Sequence, residues 1–530
     1  MNHHMTHPQR GNPLLVALIL CLPLLAFFLR LGAAPLFDID EGAFSRATQE
    51  MFERGEFLFT YLNGEPRFDK PILVYWFQAI GYLIFGLSEW AFRLPSAVSA
   101  ALWCYVIWHF ARPRFGNDAA LIAMAVAATA LGPFVIGRAA TADGLLNLLI
   151  ALSMFDAWRH LESGRRAPLL RSFLWIGLGI LTKGPIAFLI PGAVTFLYCA
   201  SKGHWKQWFK AVFNPLGWVI LIGVVAPWYS IALMLHGWDF IEGFILKHNV
   251  ERFSGTIHSH AGSIFYYVFM VPVLLLPWTG PLLATLRKIK PDFGTDLHRF
   301  LWIWCAFVIG FFSLSGTKLP HYVLYGSTPL FLLIAAHRFG LRRPLAHLSA
   351  PTLVLALIPL LPMIFVWLSA TDAGNAFFRS HLALAGERAS PLFYLVSVSG
   401  LLLWLAAVAL WKTELHRKLV LAGVIQVVVL ALVVSPWFGA VLQEPVRQAA
   451  LLAKSLDEPV VAMRFSVPSF SVYREAVTPS GIPEPGGLAV TRSDRIPAEG
   501  YETVFREGGV ALIRRHAGEI PGENDVEAID

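Results

Sequence analysis

Six short clusters in this chain combine residue types able to move protons, hold phosphate or bind metal. They are Asp38-Ile39-Asp40-Glu41, Phe68-Asp69-Lys70-Pro71, Thr141-Ala142-Asp143, Lys183-Gly184-Pro185, a His/Arg group from His248 to His260, and Lys318-Leu319-Pro320-His321. Carboxylates act as general bases or as ligands for hard cations. Lys and Arg offset phosphate charge, Arg through bidentate contact. Neutral His is a good zinc ligand. Each cluster taken singly also has a plainer reading. Acids at a helix start complement the macrodipole, which suits Asp38, Asp40 and Glu41. Asp69-Lys70-Pro71 equally reads as a helix start flanked by solvated anchors. Lys183-Gly184-Pro185 also makes a tight helical hairpin. The 236–263 loop, with Lys247, His248, Glu251, Arg252, His258 and His260, lacks H-x-x-x-H spacing, so a metal there needs ligands from other loops.

The elements that must position these clusters are membrane spans. Of 530 residues, 56% are hydrophobic and only 15% charged, against about a quarter charged in soluble domains. Mean hydropathy is +0.59. Apolar runs long enough for roughly 30 Å of hydrocarbon lie near 13–30, 91–110, 118–137, 143–158, 214–234, 264–286, 299–315, 350–369, 391–411 and 418–437, with shorter ones at 169–182, 185–200 and 322–337. This predicts a polytopic α-helical membrane protein with about thirteen spans. The first run reads as a retained anchor rather than a cleaved leader. With the N-terminus inside and 71–87 lying along or re-entering the membrane, nearly every basic loop group falls inside, from Arg112 and Arg114 to Arg417 and Lys418. That is the positive-inside distribution. It places all six clusters, and the C-terminus, outside: the periplasm of a Gram-negative cell.

The first outside loop, 31–70, holds eight acids against four bases, and from Asp40 onward it reads as an amphipathic helix with Ala43, Phe44, Ala47 and Met51 on one face. The chain divides into a transmembrane part, 1–437, and a smaller soluble α/β module, 438–530, where Pro, Gly and short alternating apolar runs appear. Cys21, Cys104, Cys199 and Cys305 all lie in apolar runs, which excludes an external disulfide framework. The net charge of +7 sits mostly in inside loops and reports orientation and anionic lipid, not nucleic acid. The middles of the spans are nearly free of charge, unlike those of ion-coupled transporters. No phosphate-cradling P-loop or dinucleotide fingerprint is present. Ionisable groups ringing the outer interface suit chemistry on a lipid whose phosphate head lies at the surface.

The stretches FDIDEGAFSRATQEMFERGEF and PRFDKPILVYW resemble the first-loop signature of integral-membrane glycosyltransferases with the C-type fold. They are most similar to the lipid A aminoarabinose transferase and protein O-mannosyltransferase-like families. The resemblance continues through TADGLLNLLIAL, LTKGPIAFLIPG, KHNVERF, HSHAGSIFYY, LPW and GTKLPHYVL, covering roughly residues 10–340 in order, with PSFSVYRE near Ser469 similar to part of their C-terminal module. It implies a polyprenyl (undecaprenyl) phosphate sugar donor and a lipid, glycan or protein acceptor. Aminoarabinose transfer to lipid A is one case, and a monomer in the bacterial inner membrane is expected. Asp40 matches the family's first-loop catalytic aspartate, with Glu41 beside it, and Asp143 its second-loop acid. Lys70, Lys183, Arg252 and Lys318 are the expected phosphate-binding cations. Asp69 and His260 match a pair that holds a divalent metal, zinc or magnesium, although the family usually has Glu where Asp69 stands. The rival readings are a polysaccharide ligase or polymerase working on lipid pyrophosphates, and a lipid-linked-sugar transporter that leaves its cargo unchanged.

Overall fold

The computed structural model describes residues 13–251, 262–341, 343–371 and 374–517. Six described helices are long and apolar enough to cross a membrane: Glu89–Phe115, Pro215–Phe244, Asp296–Leu314, Pro344–Ser369, Pro391–Leu410 and Leu415–Leu442. The pair Asn117–Thr129 and Leu131–Gly137, bent by 62°, makes a seventh crossing if taken as one span. Asp143–Ser163, Arg166–Lys183 and Ile186–Ser201 follow as a packed helical trio. The protein is a polytopic helical membrane protein.

The ambiguous apolar stretch forms a helix of only 13 residues, Leu73–Phe85. At 1.5 Å per residue it is too short to cross. One face is buried through Val74, Tyr75 and Gln78, and the other exposes Phe77, Ile80, Leu83 and Ile84. That division is expected of a helix lying in the lipid–water boundary.

Apolar residues from many helices fill one continuous core, including Trp103, Trp304 and Phe331. The buried indoles keep their N–H groups satisfied, as burial demands. Trp103 donates to Thr328 Oγ1 at 2.9 Å, and Trp304 to the Tyr325 carbonyl at 2.8 Å. The second bond fixes the backbone of a tyrosine that reaches the site described below.

Helix Asp40–Arg54 buries Ala43, Phe44, Ala47 and Met51 and stops at Gly55, in the left-handed conformation at φ 68°. Its Arg46 is fully buried yet paired, with Glu50 at 2.9 Å and Glu53 at 2.7 Å. Glu50 also accepts the backbone N–H groups of Asn63 and Gly64, tying the hairpin of β1 (Tyr61–Leu62) and β2 (Glu65–Pro66) to the helix. Past Leu442 the chain changes character. Helices Glu444–Leu456 and Pro468–Arg474 pack with a four-stranded sheet of β3 (Val460–Ala462), β4 (Leu488–Arg492), β5 (Tyr501–Glu507) and β6 (Val510–Arg515). The order is β3-β4-β6-β5, with β3 parallel to β4 and the rest antiparallel. Helix Pro468–Arg474 packs directly on helix Asp40–Arg54.

Candidate active site

A cavity of about 450 Å³ opens where the first loop meets the bent helix pair. Its polar end carries Asp38, Asp40, Glu41, Asp143 and His321, and its apolar end Leu131, Phe134, Val135, Leu430 and Phe438. A lipid with a charged head needs both ends.

Asp40 is the first residue of its helix and is exposed at the cavity wall. Glu41 differs. It is 4% exposed, and four N–H donors occupy its two oxygens: Arg93 Nε at 2.9 Å, Arg93 Nη2 at 2.7 Å, and the amides of Ala140 at 2.6 Å and Phe37 at 2.8 Å. Arg93 also donates to the carbonyls of Leu31, Ala34 and Pro35. The pair therefore pins the incoming strand of the loop to two helices, and the acceptor capacity of Glu41 is used up.

Asp38 accepts from the backbone N–H of Ser469 at 2.9 Å and from its hydroxyl. Burial pushes its carboxyl up to about 7, against the opposing pull of the Ser469 hydrogen bonds and with help from the charge of Glu41. Gly42 makes this approach feasible. A Cβ there would lie 2.3 Å from Asp38 Oδ1 and 2.5 Å from the Ser469 nitrogen. Tyr473, one turn further on, accepts from the Leu36 N–H at 2.7 Å and donates to Glu89 at 3.1 Å.

Asp143 opens helix Asp143–Ser163 and is 6% exposed. Lys183 Nζ lies 2.6 Å from its Oδ1, the Tyr325 hydroxyl donates to the same oxygen, and His321 Nε2 is 3.8 Å from Oδ2. Lys183 also reaches the Tyr325 hydroxyl at 2.8 Å. The expected phosphate role of Lys183 thus meets a competing one, because its ammonium is paired with Asp143. Lys70 donates to the Asp69 carbonyl at 2.9 Å, and Lys318 to the Ser315 carbonyl at 2.7 Å. Arg252 and His260 lie outside the described residues.

As a metal site, the first-loop arrangement fits poorly. The Asp69 carboxylate is engaged by Arg67 at 3.0 Å, and Arg67 is itself buried and bonded to the Tyr75 hydroxyl at 3.1 Å. Among the described residues, carboxylate and imidazole ligand atoms gather elsewhere, at Asp292, His298 and His337. There Asp292 accepts from Trp302 Nε1 and contacts both rings, at 3.2 and 2.9 Å.

Arg30, Arg93, Arg138 and Tyr325 belong to the site although none falls in the six sequence clusters. Arg30 and Arg138 line the cavity, and Arg138 donates to carbonyls of Ala26, Phe27 and Arg30. The available signal was an arginine inside or at the mouth of an apolar run, which is costly without a partner.

The fold that carries this geometry is shared with a solved membrane-protein structure. The crystal structure of ArnT from Cupriavidus metallidurans bound to undecaprenyl phosphate superposes with a TM-score of 0.77 at 20% identity, covering 96% of this chain and 99% of that one. The dolichyl-phosphate-mannose-protein mannosyltransferase family model matches residues 69–231. By sequence the chain is similar to the undecaprenyl phosphate-alpha-4-amino-4-deoxy-L-arabinose arabinosyl transferases. It is 29% identical over 371 residues to enzyme 2 of Pseudomonas fluorescens, covering 66% of this chain and 65% of the relative. It is 28% identical over 301 residues to the Pseudomonas aeruginosa enzyme, covering 56% and 54%. The matched region thus spans less than two thirds of these relatives' own length.

Proposed function

We propose that the protein transfers a sugar from a polyprenyl (undecaprenyl) phosphate donor to an extracytoplasmic acceptor, with aminoarabinose transfer to lipid A as the leading case. The observation that carries this reading is the cavity itself, which joins Asp40 and Asp143 to an apolar wall fit for a lipid chain. Its similarity to the arabinosyl transferases supports the same chemistry. An acceptor oxygen attacks the anomeric carbon as the bond from that carbon to the phosphate oxygen breaks. The electron pair leaves with the polyprenyl phosphate, and Asp40 takes the acceptor proton. Asp143, set by Lys183, Tyr325 and His321, orients the reacting groups. Arg138, Arg30 and Lys70, with Arg252 and Lys318 from further loops, offset the charge growing on the leaving phosphate. Glu41 holds the loop that carries Asp40. No step is assigned to a divalent metal at Asp69 and His260, because Arg67 occupies Asp69.

We read 1–437 as the transmembrane catalytic part with about thirteen crossings, and 438–530 as a soluble periplasmic module. On this reading the N-terminus is cytoplasmic, in the bacterial inner membrane. Radiolabelled donor supplied to the purified protein should release polyprenyl monophosphate in step with acceptor labelling. Release of pyrophosphate-linked carrier would favour a ligase, and donor moved without bond cleavage a transporter.

A further inference from the structure

Away from the cavity, Asp292, His298 and His337 bring a carboxylate oxygen and two imidazole nitrogens within 4.8 Å of one another. They come from three places in the chain. Asp292 ends the short helix Ile289–Asp292, His298 lies in the first turn of Asp296–Leu314, and His337 follows Thr328–Ala336. His298 Nδ1 is 3.2 Å from Asp292 Oδ1, and His337 Nε2 is 2.9 Å from Oδ2. The centres of the two imidazole rings are 5.7 Å apart, with the rings at 64° to each other. Phe115 stacks on the His298 ring and so holds its plane.

The charge of Asp292 is an independent sign of a cation. The residue is 6% exposed, and buried charges are paired or coordinate metals. Among the described residues, no lysine or arginine makes an ion pair with this carboxylate. Its side-chain partners are the two imidazoles and Trp302 Nε1, which donates to Oδ2 at 2.9 Å. The neighbouring guanidiniums are bonded to backbone instead. Arg299 Nε donates to the Phe293 carbonyl at 2.9 Å, and Arg338 Nη1 to the Ala335 carbonyl at 3.1 Å.

We propose that Asp292, His298 and His337 bind a zinc-class divalent cation that clasps three helix ends together. Two imidazoles and one carboxylate suit zinc or cobalt, whereas magnesium and calcium take oxygen ligands. Tetrahedral zinc, with bonds of about 2.0–2.2 Å, sets neighbouring ligand atoms roughly 3.3 Å apart. The separations of 3.2 and 2.9 Å from Asp292 are already close to that. His298 binds through Nδ1 and His337 through Nε2, each neutral ring carrying its proton on the other nitrogen. Trp302 keeps its bond to the carboxylate, the outer support that ligating carboxylates commonly have. A water completes the four ligands. On the orientation proposed above, the site faces the cytoplasm, across the membrane from the transfer chemistry. The clasped helices Asp296–Leu314 and Thr328–Ala336 are also the pair that Trp304 joins through the Tyr325 carbonyl. The ion therefore stabilises the helices that support the site and takes no part in the transfer itself.

The test uses the full-length protein in detergent, stripped with a chelator, dialysed, and titrated with zinc, cobalt or magnesium chloride. The parent should bind one zinc per chain that neither His298→Gln nor His337→Gln binds. Cobalt in the same place should give the visible absorption of a tetrahedral ion, and both variants should lack that band. The parent's melting temperature should rise with zinc and not with magnesium, while the variants' stay level, because an ion bound only by the folded state stabilises it. Glutamine can still donate a hydrogen bond to Asp292, so the variants remove a metal ligand without removing every contact. Trp302→Phe keeps all three ligands and should bind zinc roughly tenfold more weakly, which carries the test if a histidine variant folds poorly. Equal zinc binding by the parent, His337→Gln and Trp302→Phe would overturn the proposal. So would a parent whose melting temperature ignores zinc, or follows magnesium equally: the three side chains would then form a hydrogen-bonded cluster only.

Discussion

Ser469 places its backbone N–H 2.9 Å from Asp38 Oδ1 and its hydroxyl on the other carboxylate oxygen, across 431 residues of sequence. The C-terminal module therefore holds Asp38, a wall residue of the cavity that also carries Asp40 and Asp143. Ser469→Ala removes the hydroxyl donor and keeps the amide. Transfer should fall about tenfold, the equivalent of one hydrogen bond to a charged or partly charged group, with polyprenyl phosphate affinity unchanged. Titration of donor binding alongside turnover checks this, and a parallel loss of both would place Ser469 in the donor site.

Two neighbouring acids should separate cleanly by phenotype. Asp40→Asn keeps the fold and abolishes transfer, since its carboxylate faces the cavity rather than the core. Arg93→Ala strands the buried Glu41 carboxylate, a loss on the order of 3–5 kcal/mol. It should lower the melting temperature and the yield of monodisperse protein before any assay is possible. Thermal unfolding of the two variants in one detergent distinguishes them. A stable Arg93→Ala protein would remove Glu41 and Arg93 from the structural role.

Asp143, Lys183 and Tyr325 act as one unit, so their substitutions should not add. Asp143→Asn, Lys183→Met and Tyr325→Phe should each lower turnover. Lys183→Met in the Asp143→Asn background should cost far less than in the parent. Turnover of the four proteins in the Asp143/Lys183 cycle decides it. Additive losses would mean that Lys183 works on the phosphate independently of Asp143.

Much of this site can be traced in the sequence by cost. Asp143 at the mouth of an apolar run, and Asp40 at the start of an amphipathic helix, stand out because a carboxylate there needs a reason. The run at 143–158 is the core of helix Asp143–Ser163, and the short runs at 169–182 and 185–200 lie within Arg166–Lys183 and Ile186–Ser201. Partnerships were harder to read. Nothing local marks Tyr325, one aromatic in an apolar run, as a donor to Asp143. Arg93 sits in the 91–110 run and meets Glu41 only through tertiary packing. The contact of Ser469 with Asp38 depends on how the C-terminal module docks, which no periodicity encodes.

Chelation should matter little. Because Arg67 is paired with Asp69 Oδ2 and bonded to Tyr75, the charge of that carboxylate is already offset by a fixed guanidinium, which also repels an incoming cation. Protein treated with a chelator and dialysed should keep its transfer rate, with no stoichiometric zinc by elemental analysis. A rate lost on chelation and restored by zinc would place a metal at Asp69 despite Arg67.

The raised carboxyl of Asp38 sets a pH dependence of stability whose sign is fixed. In the unfolded chain an aspartate releases its proton near 3.8, whereas in the folded protein Asp38 holds it to about 7. Between those values the folded state binds the extra proton, so stability falls as pH rises and levels off above about 7. Asp38→Asn keeps a neutral side chain of nearly the same shape at every pH. Its melting temperature should therefore match the parent's near pH 4 and exceed it near pH 8. Ser469→Ala removes a donor that favours the ionised form, which raises the folded value further and extends the decline to higher pH. Melting curves of the three proteins from pH 4 to 9 test this. Parallel curves for parent and Asp38→Asn would show that Asp38 is already ionised in the fold and that Ser469 is bound to a carboxylate throughout.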